Sequence, residues 1–144
     1  REAISNYLRF SRGVNSSADN IIIGAGSEYL IQLIINILGR DKIFAVEEPG
    51  YYKIKNILNV NGINPIGIPI DEQGVDVEKL RNSNSNIIHI TPSHQFPTGI
   101  IMPINRRIQI LNWVNESNKR YIIEDDYDSE FRFEGRPIPA LHSL

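Results

Sequence analysis

The chain holds 144 residues, 41% apolar and 22% charged, which suits one soluble globular domain with a sizeable core. Its formal net charge of -2 comes with scattered Lys and Arg, so it carries no electrostatic footprint for nucleic acid. The absence of cysteine removes disulfides, thiolate metal sites and a cysteine nucleophile, and no apolar run reaches membrane-spanning length. The expectation is a cytoplasmic protein that makes no membrane contact. Because the sequence starts at Arg1 and stops at Leu144 after a Pro-rich turn, a fragment of a longer protein is expected.

Short β-branched runs alternate with segments of helical spacing, the pattern of repeated β-α units and a largely parallel sheet. The expected class is therefore a layered α/β fold. Residues 1–13 read as an amphipathic helix with Ile4, Tyr7 and Leu8 on one face and Gly13 as its stop. Strands are expected at 20–24, 43–47, 64–69, 87–91 and 121–125. Between them, 27–38, 51–61 and 104–117 place apolar residues three and four apart, so each can lay one face on the sheet. Residues 77–82 add a short helical turn, and the polar stretches 71–74 and 81–86 read as surface loops.

Ligands of such folds gather at the carboxyl ends of parallel strands, and the unusual residues of this chain fall at four of these ends. After the first expected strand, Gly24-Ala25-Gly26-Ser27 is either a phosphate seat at the start of a helix or a simple tight turn. After the second, Glu47-Glu48-Pro49-Gly50-Tyr51-Tyr52 puts two rings at a constrained turn; one could lie over a flat ligand, or both could be half-buried core rings. After the fourth, Thr91-Pro92-Ser93-His94-Gln95-Phe96-Pro97-Thr98-Gly99 is too constrained for an arbitrary loop. His94 has no paired acid in sequence and reads as a structural hydrogen bonder, and His89, His94 and His142 share no metal-ligand spacing. After the fifth, Ile122-Ile123-Glu124-Asp125-Asp126-Tyr127-Asp128 ends an apolar run in four carboxylates and a phenol. Crowded carboxylates resist desolvation, so such a cluster is either a solvated loop or a site where a cation, protonated heterocycle or metal supplies opposite charge.

Thr-Pro-Ser-His-Gln-Phe-Pro-Thr-Gly at 91–99 and Ile-Glu-Asp-Asp-Tyr-Asp-Ser-Glu-Phe-Arg-Phe-Glu-Gly-Arg-Pro from 123 onward resemble the aminotransferase-like domain of the MocR/GabR group. These GntR-family bacterial transcription regulators join a winged helix-turn-helix to a domain similar to fold type I pyridoxal phosphate aminotransferases. The resemblance covers essentially the whole chain and implies an incomplete three-layer large domain, a mostly parallel sheet with flanking helices, over residues 1–144. It implies pyridoxal 5'-phosphate in the intact protein, with Asp125 pairing with the pyridine nitrogen, Tyr127 reaching the 3' oxygen and Tyr51 stacking on the ring. Gly26 and Ser27 match the loop before the phosphate-binding helix, and Phe96 stands where many aminotransferases carry an asparagine.

The resemblance further implies that the Schiff-base lysine lies beyond Leu144, so the segment holds no catalytic residue and should be inactive alone. In the intact regulator an amino compound would be sensed through an external aldimine, DNA would be bound by a separate winged-helix domain, and the protein would be a homodimer. The alternative is a class I/II aminotransferase that turns over. Phe96, and a spacing from Asp125 to Tyr127 one residue shorter than usual, argue against efficient transamination. Family topology places strand 20–24 beside two strands that follow Asp125 in sequence; without them that strand should be disordered, re-paired or in contact with another chain.

Overall fold

The computed structural model describes residues 1–129 and 138–144, so the motif residues 130–137 lie outside the described part. The first helix, α1 (Glu2–Arg12), ends on Gly13, whose φ of 71° is the left-handed conformation a helix stop requires. The expected helix forms, but its expected apolar face is not buried: Ile4 and Tyr7 are exposed, and the buried residues are Ser5 and Arg12.

Residues 20–24 are not a strand, which corrects the first strand expected from sequence. A single 3-10 turn (Ala18–Asn20) leads into an unpaired stretch in which Ile22 is 61% and Ile23 64% exposed. The β-branched run is present, but a strand exists only by hydrogen bonding to a neighbour, and no described strand runs alongside it. Among the outcomes expected for this segment, it is neither flanked nor re-paired within the described chain.

The remaining elements follow the expected alternation closely: α2 (Ser27–Leu38), β1 (Phe44–Glu48), α3 (Tyr52–Val60), β2 (Ile66–Asp71), β3 (Gly74–Val75), α4 (Val77–Asn82), β4 (Ile87–Ile90), α5 (Ile104–Asn115) and β5 (Tyr121–Glu124). The sheet order is β3-β2-β1-β4-β5, parallel except for β3, which returns antiparallel on β2. Thus the expected loop 71–74 is a tight hairpin, and the expected loop 81–86 is partly the end of α4 and carries a buried Ser85.

The central strands β1 and β4 are buried on both faces, which explains their near-continuous apolar runs. Phe44, Val46 and Ile87 face α2 and α3, together with Ile31, Ile35, Ile54 and Leu58. Ala45, Ile68, Ile88 and Ile90 face the opposite way, toward Val77, Leu80, Ile110 and Trp113 of α4 and α5. Three layers result, and the period-two alternation fixes which side chains emerge on each face at the strand ends. His89, two residues after Ile87, therefore points to the α2/α3 side at the carboxyl end of β4.

Candidate functional site

A cavity of about 350 Å³ opens at the carboxyl ends of β1, β4 and β5, lined by Ser27, Tyr51, Thr91, Phe96, Asp125 and Tyr127. Five of the six residues expected from sequence converge on it, from four segments of the chain. The sixth, Gly26, is not part of the lining but is the N-cap of α2, directly before Ser27, with a φ of 96° that favours glycine. No side chain caps α2, so its first-turn N–H groups remain available to an anion beside Ser27.

The aromatic wall comes from two loops. Tyr51 and Phe96 meet edge to face with centroids 5.3 Å apart, while Tyr52 turns outward and is 62% exposed. The pair Tyr51 and Tyr52 therefore resolves into one cavity ring and one surface ring. The turn that delivers Tyr51 depends on Gly50, where an added Cβ would fall on the carbonyl oxygen of Glu47. Lys53 pairs with Glu28 at 3.2 Å, and its ammonium lies 5.9 Å from the Tyr51 ring centroid.

The two loops are tied together by a buried polar network that sequence reasoning missed. Oε2 of Glu47 accepts from the Thr91 hydroxyl at 2.8 Å, the Thr91 N–H at 3.2 Å and the Gln95 side-chain amide at 3.4 Å. Gln95 also donates to the Pro49 carbonyl at 2.9 Å and accepts from Thr98, so the nine-residue loop is organised around its glutamine. Burial pushes the Glu47 carboxyl above the usual range, against the pull of its hydrogen bonds. Its other oxygen, Oε1, is buried without a partner. A carboxylate at the end of an otherwise apolar strand is the signal that could have marked it.

The acidic cluster separates into individual roles. Asp125 lines the cavity and lies 3.2 Å from Nε2 of the buried His89. Asp126, the next residue, turns away and pairs with Arg12 at 2.6 Å. Glu124 accepts from the Leu141 N–H at 2.9 Å, and burial raises its carboxyl. Burial, then the charges of Asp128, Asp125 and Glu47, raise the Tyr127 phenol, which keeps it protonated and able to donate a hydrogen bond. His94 stacks on Tyr127 with centroids 5.5 Å apart, and among the described residues it makes this ring contact and not the hydrogen bond expected. Among the described residues no cluster of His, Asp and Glu could hold a metal.

Chemically, the cavity offers a carboxylate at one edge, a protonated phenol, an aromatic face, and a helix N-terminus with a hydroxyl. That set suits a flat heterocycle bearing a protonated nitrogen, a ring oxygen and a phosphate.

The model of the family described as "Aminotransferase class I and II" matches residues 1–137. The chain belongs to that family. The aminotransferase-family chain is 43% identical, over its full length, to an uncharacterized HTH-type transcriptional regulator, YdeL, of Bacillus subtilis, and spans 31% of that relative. It is 36% identical to the HTH-type pyridoxine biosynthesis transcriptional regulator PdxR of Corynebacterium glutamicum, again covering all of this chain and 31% of the relative. The chain thus spans about a third of the curated relatives it matches. Among solved structures, the kynurenine aminotransferase of Pyrococcus horikoshii, in complex with PMP, superposes with a TM-score of 0.83 at 28% identity. That match covers 99% of this chain and 37% of the enzyme. The aminotransferase-family fold is therefore the fold type I architecture, here with five described strands.

Proposed function

We propose that this chain is the pyridoxal-phosphate-binding part of an effector-sensing domain in a MocR-type transcription regulator. The observation that carries the reading is the convergence of Ser27, Tyr51, Phe96, Asp125 and Tyr127 on one cavity at the strand ends. Similarity over the whole of this chain to part of HTH-type regulators supports it, and so does Phe96 where the family resemblance leads one to expect an asparagine.

The residues fit the group. Asp125, braced by His89, would hold the pyridine nitrogen in its protonated form; Tyr127 would donate to the ring oxygen; Tyr51 and Phe96 would cover the ring. Gly26, Ser27 and the first turn of α2 would take the phosphate. When bound, pyridoxal phosphate supplies an aldehyde carbon that combines reversibly with amines and a ring that withdraws electrons. Phe96 offers no hydrogen bond to the ring oxygen, which leaves that oxygen to Tyr127 and weakens the case for turnover.

On this reading the residues above would hold the cofactor, and its aldehyde carbon would supply the chemistry by which an amino compound is sensed. Its binding biases the arrangement of a homodimer whose DNA contacts come from a separate winged-helix domain. No lysine of this chain is assigned the covalent attachment. The test is titration of the intact protein with pyridoxal phosphate, followed by absorbance. Saturable binding is expected, with Asp125→Ala weakening it roughly tenfold or more, because a hydrogen bond to a charged group is lost. Wild-type affinity and spectrum in Asp125→Ala would sink the reading. The second reading, an aminotransferase that turns over, is favoured by the likeness to the kynurenine enzyme and predicts keto-acid formation from amino acids by the same loaded protein.

A further inference from the structure

Two consecutive aspartates end β5, yet only one of them faces the cavity. Asp125 lines it, whereas the carboxylate of Asp126 is held by the guanidinium of Arg12, 114 residues away in sequence, at 2.6 Å. Arg12 is 2% exposed at the end of α1. Its guanidinium also donates to the Ser93 hydroxyl at 2.9 Å, in the loop that delivers Phe96, and to the carbonyl of Ile138. The Arg12 carbonyl accepts from the Ala140 N–H at 3.1 Å. One side chain thus meets two of the four segments that line the cavity, the one carrying Thr91 and Phe96 and the one carrying Asp125 and Tyr127.

A flexible pair of adjacent carboxylates could present either member to a protonated heterocycle, since one peptide rotation at a strand end exchanges the two directions. A planar, permanently charged fork that grips one carboxylate and the neighbouring loop removes that choice. We infer that Arg12 is a positioning residue of the cofactor site: by holding Asp126 away, it leaves Asp125 as the single carboxylate facing the cavity and fixes the direction of Tyr127. The inference rests on the pyridoxal phosphate reading above.

The test is a substitution cycle in the intact protein, read by pyridoxal phosphate affinity and by the absorbance maximum of the bound form. Arg12→Met frees Asp126 and is expected to weaken affinity roughly tenfold and shift the maximum. Arg12→Met combined with Asp126→Asn is expected to recover most of that loss, because no second carboxylate remains to enter the cavity. A purely structural role for Arg12 predicts the opposite, a double variant no better than the single one. That result, or wild-type affinity and absorbance in a folded Arg12→Met, overturns the inference. Should Arg12→Met fail to fold, Arg12→Lys keeps the charge without the fork, and the same rescue by Asp126→Asn decides. Asp125→Ala is the control: if it too binds normally, the cofactor reading fails and the role of Arg12 falls with it.

Discussion

Glu47 is buried with its hydrogen bonds gathered on one oxygen, and its fate with pH follows from that environment. Burial raises its pKa above the ordinary 4.5, so the folded state holds a proton that the unfolded chain has already released. The stability this proton confers is fully present below the unfolded value and is lost as pH rises through the folded value. Glu124 is raised by burial in the same direction. Glu116, pulled down to about 2 by Arg81 and Arg120, acts oppositely and on the acid side of that window. Thermal unfolding of Glu47→Gln across the acid-to-neutral range should show a shallower decline toward neutrality than wild type. An unchanged slope would mean that the fold does not raise the Glu47 carboxyl. Such residues are hard to read from sequence because their environment is assembled from afar: Glu47 meets Thr91 across 44 positions and His89 meets Asp125 across 36. The convergence of Tyr51, Phe96, Asp125 and Tyr127 was legible because each follows the carboxyl end of a strand, where α/β layering gathers the loops, while the roles given to them came from the family resemblance.

Elements were legible where the local pattern and the tertiary partner agree. The two amphipathic helices α2 and α3 bury Ile31, Ile35, Ile54 and Leu58 against one sheet face, as their spacing requires. Residues 20–24 carry the same strand chemistry as β4 yet form no strand, since β structure is completed by a neighbour and helix structure is not. The short β3 was illegible for the converse reason: Gly74–Val75 has too few residues to carry a period and is defined by its pairing with β2. Two substitutions probe elements directly. Asp76 caps α4 by accepting from the N–H groups of Glu78 and Lys79, so Asp76→Ala should cost about 1 kcal/mol in chemical denaturation while leaving cofactor affinity unchanged. Gly50→Ala forces a methyl group onto the Glu47 carbonyl and must move the turn that carries Tyr51. It should lower both stability and cofactor affinity, and loss of stability alone would show that Tyr51 is placed independently of that turn.

At the scale of the whole molecule, the sheet is unevenly finished. On one side β3 closes β2 with a tight antiparallel return, whereas β5 pairs with β4 and has no described strand on its outer side. Ile22 and Ile23 stand exposed, as do Tyr7 and Phe10 on α1, and no helix among the described residues is long and apolar enough to cross a membrane. Apolar surface of this kind calls for a neighbour that covers it. The chain spans 31% of the regulator YdeL, and the family resemblance implies two further strands beside residues 20–24. A strand with β-branched residues and free N–H groups gains protection only when those neighbours are present. Hydrogen exchange therefore distinguishes the two situations at named amides. In the 144-residue segment, the amides of Ile22 and Ile23 should exchange at rates near those of an open loop, while those of β1 and β4 are protected. In the full-length protein the same two amides should slow to the level of the central strands. Equal, rapid exchange in both would mean that this run stays outside the sheet even in the complete domain, and its apolar side chains would then have to be covered by something other than strands.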